Sequence, residues 1–246
     1  MGDITEVTGM VISAMPVGEY DRRVVLLTKE RGKISAFAKG ARRPNSPLLG
    51  ITRAFVLGKF QLYEGKTSYN IKQADISNYF ENIMSDYDAV CYACYFAEIA
   101  DYYGRENLDA SSMINLLYVS LKALVNVNIP NKLVKCIYEL RIIAINGESP
   151  NVFECAGCGA KENLDTFSYT HYGVYCSECK SKAGNGVYMN ATLLYTLQYI
   201  IASPLKKLFT FTVSEEILIQ LKSVTEQICF EVFDKNMKSL EILENY

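Results

Sequence analysis

Through the first eighty residues, apolar and polar side chains alternate with a period of two, the pattern of strands that are buried on one face. Ile34, Ala36 and Ala38, for example, fall on the same face of one such run. Glycine and proline separate the runs, as expected at turns. The pattern predicts strands over residues 6–14, 23–28, 34–38, 54–63 and 68–74.

Beyond residue 78 the apolar residues follow helical spacing instead. Gly104 ends the first helical stretch, Pro130 suits a first helical turn, and Ser214 precedes two acidic residues that suit a helix N-terminus. The pattern predicts helices over residues 79–103, 109–125, 130–146, 191–202 and 214–234.

These elements predict an α+β protein of two domains. Residues 1–78 form a small five-stranded barrel, which we assign to the OB-fold by analogy, because strand order does not follow from the pattern. Residues 79–246 form a helical domain, into which an irregular segment at about residues 151–188 is inserted.

The irregular segment carries two C-x-x-C pairs, Cys155 with Cys158 and Cys176 with Cys179, separated by seventeen residues. Two residues between cysteines let a tight turn direct both sulfurs at one metal, and a spacer of this length brings the second pair around to complete a tetrahedral site. Since four thiolates leave no position for water, the pattern predicts one structural Zn²⁺ per chain. His171, between the pairs, is the alternative ligand to one cysteine.

Half of the 246 residues are hydrophobic, enough for a sizeable core, yet no apolar run approaches the length that crosses a bilayer. Residues 1–8 lack the basic and hydrophobic regions of a secretory signal. With eight cysteines and no such signal, we expect a cytoplasmic protein without membrane contact, in which thiols bind metal rather than form disulfides.

The net charge is −2, but the charged residues are unevenly distributed along the chain. Residues 1–80 hold twelve basic against seven acidic residues, while residues 81–246 hold thirteen against twenty. Between Arg22 and Arg43 there are eight basic residues and one acidic residue. A basic front on an otherwise acidic chain is typical of a phosphate-binding module, and a solvated charged surface is the alternative.

Motifs for catalysis are missing. The chain has no G-x-x-x-x-G-K-[ST] loop for ATP hydrolysis, and its one histidine lacks the H-x-E context of zinc deaminases. We therefore expect a protein that is not an enzyme. Two other classes stay open: a zinc-ribbon adaptor that binds only protein, and a thiol–disulfide enzyme that uses a C-x-x-C pair.

Segments along nearly the whole chain together resemble one family, RecO, the bacterial recombination mediator. Their order and spacing carry the resemblance, rather than any single piece. The segments are residues 9–12, Leu26-Leu27-Thr28-Lys29-Glu30-Arg31-Gly32-Lys33, Ala38-Lys39-Gly40-Ala41-Arg42-Arg43 with Ser46, Tyr138-Glu139-Leu140-Arg141, Gly147, Pro150 and Cys155-Ala156-Gly157-Cys158-Gly159.

The resemblance implies an N-terminal OB-fold, a helical C-terminal domain and, in some members, a zinc knuckle, whose four cysteines this sequence retains. It also implies a nucleoid-associated protein of recombinational DNA repair. Such a protein binds single- and double-stranded DNA and anneals complementary strands. It associates with RecR and with single-strand-binding protein, and it helps load the recombinase RecA at gaps.

For that role we expect DNA contacts from Lys39, Arg42 and Arg43, which lie at a strand end and in the loop that follows. Cations at such positions reach phosphates without disturbing strand pairing. Four further cations near turns could extend the surface, and Phe37 is a candidate to stack on a base because it shares a face with Ser35. The four cations are Arg22, Arg23, Arg31 and Lys33.

Overall fold

A computed structural model describes residues 4–65 and 68–244. The contacts divide the chain into two compact units, Met1–Val125 with Met237–Tyr246, and Asn126–Asn236. The predicted border between residues 78 and 79 marks the change from strands to helices. As a division into domains it stays a prediction.

In the described part of the first unit, five strands close into a barrel in the order β1-β2-β3-β5-β4. All neighbouring strands are antiparallel except β3 and β5, which are parallel. The closed five-stranded barrel confirms the predicted fold class. The strands are β1 (Ile4–Val17), β2 (Asp21–Thr28), β3 (Gly32–Ala38), β4 (Leu57–Glu64) and β5 (Tyr69–Asn78).

Alternate residues of each strand point into the barrel, as the period of two requires. In β3 the burial alternates strictly, and Ile34, Ala36 and Ala38 are all interior. Larger side chains, including Phe60 and Leu62, fill the rest of the interior. A short helix, α1 (Leu48–Ile51), contributes two buried side chains to the same core.

A glycine in β4 permits the close approach of two strands. A Cβ atom on Gly58 would lie 2.3 Å from the backbone oxygen of Asp75 in β5, closer than any real contact. The pairing register of β4 and β5 shifts at the same position. The barrel therefore requires a residue without a side chain here.

Four helices complete the first unit: α2 (Glu81–Met84), α3 (Tyr87–Tyr103), α4 (Ser111–Leu124) and α8 (Lys238–Glu244), counted among the described residues. The prediction of one helix over residues 79–103 was wrong, because the chain breaks between α2 and α3. Asp86 has extended backbone and accepts the N–H of Ala89, so it is the N-cap of α3. Helix α8 was not predicted.

The strand predicted over residues 54–63 begins later, at Leu57. Phe55 has a φ of 69°, in the left-handed region that ends strand geometry. Its N–H donates to Val11, so the preceding turn is tied to β1.

The second unit contains helices α5 (Asn131–Ile145), α6 (Ala191–Ala202) and α7 (Glu215–Val232). Asn190 and Ser214 are the N-caps of α6 and α7, and each accepts a backbone N–H with its side chain. Between α5 and α6 lies a small antiparallel sheet that was not predicted. Its strands, in the order β7-β6-β8, are β6 (Leu164–Ser168), β7 (Gly173–Cys176) and β8 (Val187–Tyr188).

No helix in the described ranges is both long and apolar enough to span a membrane.

Candidate metal centre and basic surface

The two C-x-x-C pairs come together in the second unit. The Sγ atoms of Cys155, Cys158, Cys176 and Cys179 all lie within 4.8 Å of one another. Cys176 is the last residue of β7, and the backbone N–H of Cys155 donates to the carbonyl of Ala160, which closes the first turn. Turn and strand end thus place both pairs at one point, as the spacing predicts.

The sulfur geometry fits zinc. The Sγ atoms of Cys158 and Cys176 are 3.7 Å apart. Ligands at about 2.3 Å from a tetrahedral Zn²⁺ are separated by about 3.8 Å, whereas a disulfide requires about 2.05 Å. Each of these four thiols is free of a disulfide. The cluster could therefore hold one metal ion with four sulfur ligands.

The backbone around the cluster favours a thiolate at Cys155. Although desolvation raises the pKa of the Cys155 thiol, backbone N–H groups of Cys176, Gly157 and Cys158 lower it to about 6. The pKa of Cys179 rises to about 12, first through its hydrogen bond with Cys158 and then through desolvation. The charge of Cys155 also raises the pKa of Cys179, so one thiolate makes the next harder to form, and a divalent cation would offset that repulsion.

Gly157 fits tightly inside the cluster. A Cβ atom at this position would lie 3.0 Å from Cβ and 3.1 Å from Sγ of Cys179. His171 is not part of the cluster, and its Nδ1 lies 2.9 Å from the hydroxyl of Tyr175. The set of donors is therefore sulfur alone.

In the first unit, five of the predicted cations gather at one end of the barrel. In the β2–β3 register, Arg22 lies opposite Ala38 and Arg23 opposite Phe37, so both arginines neighbour the residue after β3, Lys39. We call this group the basic corner. It consists of Arg22, Arg23, Lys39, Arg42 and Arg43.

The loop that carries Lys39, Arg42 and Arg43 is held against the β1–β2 turn. The backbone N–H of Arg42 donates to Tyr20 over 2.8 Å, and the N–H of Gly40 donates to Oδ1 of Asp21 over 2.7 Å. The guanidinium of Arg43 lies 5.1 Å from the centre of the Tyr20 ring. These contacts fix the backbone and leave Lys39, Arg42 and Arg43 exposed.

No carboxylate in the described ranges neutralises the charges of these three exposed residues. Among the residues that the structure describes, none of Lys39, Arg42 and Arg43 forms an ion pair with a carboxylate. The guanidinium of Arg42 donates to the carbonyls of Gly18 and Glu19, at 3.3 Å each. The loop therefore presents three cations that are available to an anion.

Arg22 is engaged differently. Its Nη1 atom donates to the carbonyl of Leu49, and to the carbonyl and hydroxyl of Thr52, over 3.2–3.4 Å. Desolvation, followed by the charges of Arg42 and Arg53, lowers the pKa of its guanidinium. Arg22 thus braces the α1 segment, while Arg53 adds a further cation to this end of the barrel.

Arg31 and Lys33 lie at the other end of β3, roughly 20 Å from Lys39 at the usual rise per residue. Nη2 of Arg31 lies 3.5 Å from Glu64, and Nζ of Lys33 lies 3.3 Å from a carboxylate oxygen of Asp101. The structure therefore does not join these two cations to the basic corner. Their carboxylate partners come from β4 and α3, which the sequence does not place beside β3.

Phe37 lies on the outer face of β3 beside the basic corner. It is half-buried, alternates with the interior residues Ala36 and Ala38, and lies opposite both Arg23 and Asn70. The predicted shared face with Ser35 is confirmed.

Two family models match the chain. The model described as Recombination protein O N terminal matches residues 1–80, and the model described as Recombination protein O C terminal matches residues 84–241. The chain belongs to the RecO family. The resemblance carried by the sequence segments is thereby confirmed.

Relatives named DNA repair protein RecO align along most of their length. The relative from Acetivibrio thermocellus is 31% identical over 239 residues, which cover 96% of this chain and 95% of that protein. The relative from Caldanaerobacter subterraneus subsp. tengcongensis is 30% identical over 199 residues, 81% of each chain. That from Clostridium perfringens is 26% identical over 242 residues, 98% of each.

In this RecO-family chain, Arg53 and Tyr20 were not among the site residues predicted from the sequence. Arg53 lies ten residues beyond the basic signature, and only the packing of α1 brings its charge close to Arg22. Tyr20 supports Arg43 from the β1–β2 turn. An aromatic residue beside a turn offers no sequence signal for such a contact.

Proposed function

We propose that this RecO-family protein acts in recombinational DNA repair as a DNA-binding and annealing protein without enzymatic activity. The observation that carries the proposal is the basic corner, where Lys39, Arg42 and Arg43 project from a fixed loop without carboxylate partners among the described residues. Arg23 is exposed on the adjacent strand, opposite Phe37, and its Nε donates to the hydroxyl of Ser35. The family membership supports a partner that carries phosphates.

The proposed contacts are sequence-independent. Each cation placed on a phosphate displaces condensed counterions, so binding is strong at low salt and weakens steeply as salt increases. The same surface accepts single- and double-stranded DNA, because both carry phosphates. By neutralising two strands at once, it lowers their mutual repulsion and promotes annealing.

The proposed partners follow from the family. We propose that the protein associates with RecR and with single-strand-binding protein, and that through them it helps load RecA at gaps. Such work takes place in the cytoplasm, at the nucleoid.

We propose Zn²⁺ as the ion of the four-cysteine cluster. The donor set of four thiolates matches its preference and closes the coordination sphere, so the role is structural. The cluster ties the turn at Cys155 to the end of β7 and to the turn at Cys179. It thereby links three parts of the irregular segment that are distant from one another along the chain.

The triple variant Lys39→Ala, Arg42→Ala, Arg43→Ala tests the DNA proposal. Affinity for a single-stranded oligonucleotide is measured by fluorescence anisotropy across a salt series. For single strands each phosphate contact contributes about 0.7 to the slope of log affinity against log salt, so the slope should decrease by about 2. All base sequences should be affected about equally.

The matched control is the double variant of the paired cations at the other end of β3, Arg31→Ala with Lys33→Ala. It should leave the slope nearly unchanged, because carboxylates already neutralise both side chains. Equal slopes for the wild-type protein and the triple variant would overturn the DNA assignment. Affinity of the wild-type protein that ignores salt would favour a zinc-ribbon adaptor that binds only protein.

A further inference from the structure

Tyr79, which follows β5 directly, lies beside two neighbouring cavities of the first unit. Its side chain is 43% exposed. One cavity of about 290 Å³ is lined by Arg53, Val56 and Tyr79, among others. A second cavity of about 560 Å³ is lined by Tyr79 together with Asn78 and Lys122, among others. One aromatic ring is thus shared by two open cavities, each with a cation.

Two unusual backbone positions shape the smaller cavity. Phe55 and Phe80 have φ values of 69° and 50°, and both side chains are buried. Bulky residues rarely adopt this left-handed conformation. The neighbours of Phe55 on both sides, and those of Phe80 on both sides, line the cavity. Turning the two phenylalanines inward leaves Tyr79 and Arg53 facing outward.

The cations of these cavities are available. Among the described residues, neither Arg53 nor Lys122 forms an ion pair with a carboxylate. Lys122 rests over the ring of Tyr118 at 4.5 Å, and that ring packs edge-on against Phe80 at 5.6 Å. The ring of Tyr118 therefore supports the ammonium group of Lys122 on one side, and the rest of that group stays exposed to solvent.

The smaller cavity adjoins the basic corner. Arg22 donates to the carbonyl of Thr52 over 3.4 Å, and Thr52 directly precedes Arg53, whose charge also contributes to the lowered pKa of Arg22. Glu81 lines both cavities and carries the opposite charge. A carboxylate repels phosphates, but it accepts hydrogen bonds from the exocyclic amino groups of bases. The position therefore suits a base, with phosphates on either side near the cations.

We propose that the Tyr79 cavities form a base-binding subsite for single-stranded nucleic acid. An unpaired base stacks on Tyr79, and phosphates to either side contact Arg53 and Lys122. Stacking on an aromatic ring is sequence-tolerant, because every base has a face. A duplex offers no unstacked base, so this subsite selects single strands, whereas the basic corner alone does not. The inference rests on the DNA-binding function proposed above.

The first test compares single-stranded and duplex oligonucleotides by fluorescence anisotropy. Tyr79→Ala should lower affinity for a single strand by about fivefold or more and change duplex affinity by less than about twofold. Tyr79→Phe keeps the ring and should bind like the wild-type protein. Tyr87→Ala is the matched control, since Tyr87 is 58% exposed and lines neither cavity.

The second test locates the contact in the unaltered protein. An oligonucleotide that carries 5-iodouracil is irradiated in the complex, and the cross-linked peptide is identified by mass spectrometry. A cross-link at Tyr79 supports the subsite, and cross-links elsewhere only would overturn it. This measurement stays decisive even if Tyr79→Ala lowers the melting temperature.

The outcomes separate this inference from the proposed function. If the basic-corner triple variant loses single-strand affinity while Tyr79→Ala retains it, the subsite is refuted and DNA binding stands. If the wild-type protein binds no oligonucleotide, both fail. If Tyr79→Ala loses binding of an acidic peptide but not of the oligonucleotide, the cavities are a protein-docking site and the inference is wrong.

Discussion

Replacing Arg22 with alanine should destabilise the barrel, although the sequence places this residue among the candidates for DNA contact. Its Nη1 atom lies within 3.2–3.4 Å of three oxygens in the segment of Leu49 and Thr52. Those bonds hold α1 against the start of β2. The adjacent Arg23 is exposed and donates from Nε to the hydroxyl of Ser35 over 2.8 Å.

The expected cost follows from these contacts. A hydrogen bond from a charged group contributes about 1.5–3 kcal/mol, and one nitrogen with two hydrogens can satisfy at most two of the three oxygens at once. Removing the side chain also removes the cost of desolvating its guanidinium group and the repulsion between that group and Arg42 and Arg53. Both changes offset part of the loss. We expect a net destabilisation of about 1–2 kcal/mol, or about 3–6 °C in melting temperature.

The assay is thermal unfolding by circular dichroism, with hydrogen exchange of residues 48–52 as a local measurement. Arg23→Ala is the control, and it should change stability by no more than about 0.5 kcal/mol because the side chain is exposed. Faster exchange in residues 48–52 should accompany Arg22→Ala alone. Equal melting temperatures for the two variants would refute the bracing role of Arg22.

Three further outcomes are expected. Replacing Cys155 and Cys158 with serine should reduce bound zinc, measured by atomic absorption, from about one ion per chain to none, and lower soluble yield; an equally stable, metal-free variant would contradict the structural role. Glu139→Ala should cost up to about 3 kcal/mol in urea unfolding, because it removes the nearer of the two carboxylates beside the buried ammonium of Lys135, Glu139 at 2.9 Å and Glu226 at 3.7 Å; an unchanged midpoint would contradict this. Gly58→Ala should cost about 1–3 kcal/mol by the same measurement, since its Cβ meets a backbone oxygen at 2.3 Å, and a neutral effect would show that β4 and β5 separate easily.

The Lys135–Glu139 pair explains why Glu139 matters in the second unit. Both residues lie on α5, and their side chains are 8% and 1% exposed. Desolvation lowers the pKa of Lys135, but the charge and hydrogen bond of Glu139 outweigh it and raise the pKa above its ordinary value. Lys135 therefore stays charged in the folded protein, next to the carboxylate of Glu139 at 2.9 Å and that of Glu226 at 3.7 Å.

Local spacing in the sequence was enough to determine the metal cluster and the barrel faces. Two residues between cysteines favour a turn, and the turn determines where the sulfurs point. Cys155, Cys158, Cys176 and Cys179 could therefore be grouped from the sequence alone. The period of two in β3 likewise determined which side chains are interior. The strand faces and each C-x-x-C turn depend on neighbours within a few residues, where backbone geometry has few alternatives, and the seventeen-residue spacer is of the length that joins two such turns at one metal.

Tertiary structure alone decided which cations lie close together. Lys33 and Lys39 are six residues apart, yet an extended strand places them at opposite ends, and Asp101 of α3 neutralises the first. Arg53 and Tyr79, by contrast, are distant in sequence and line the same cavity. Such groupings depend on strand register, barrel closure and helix packing, and no local pattern of residues contains them.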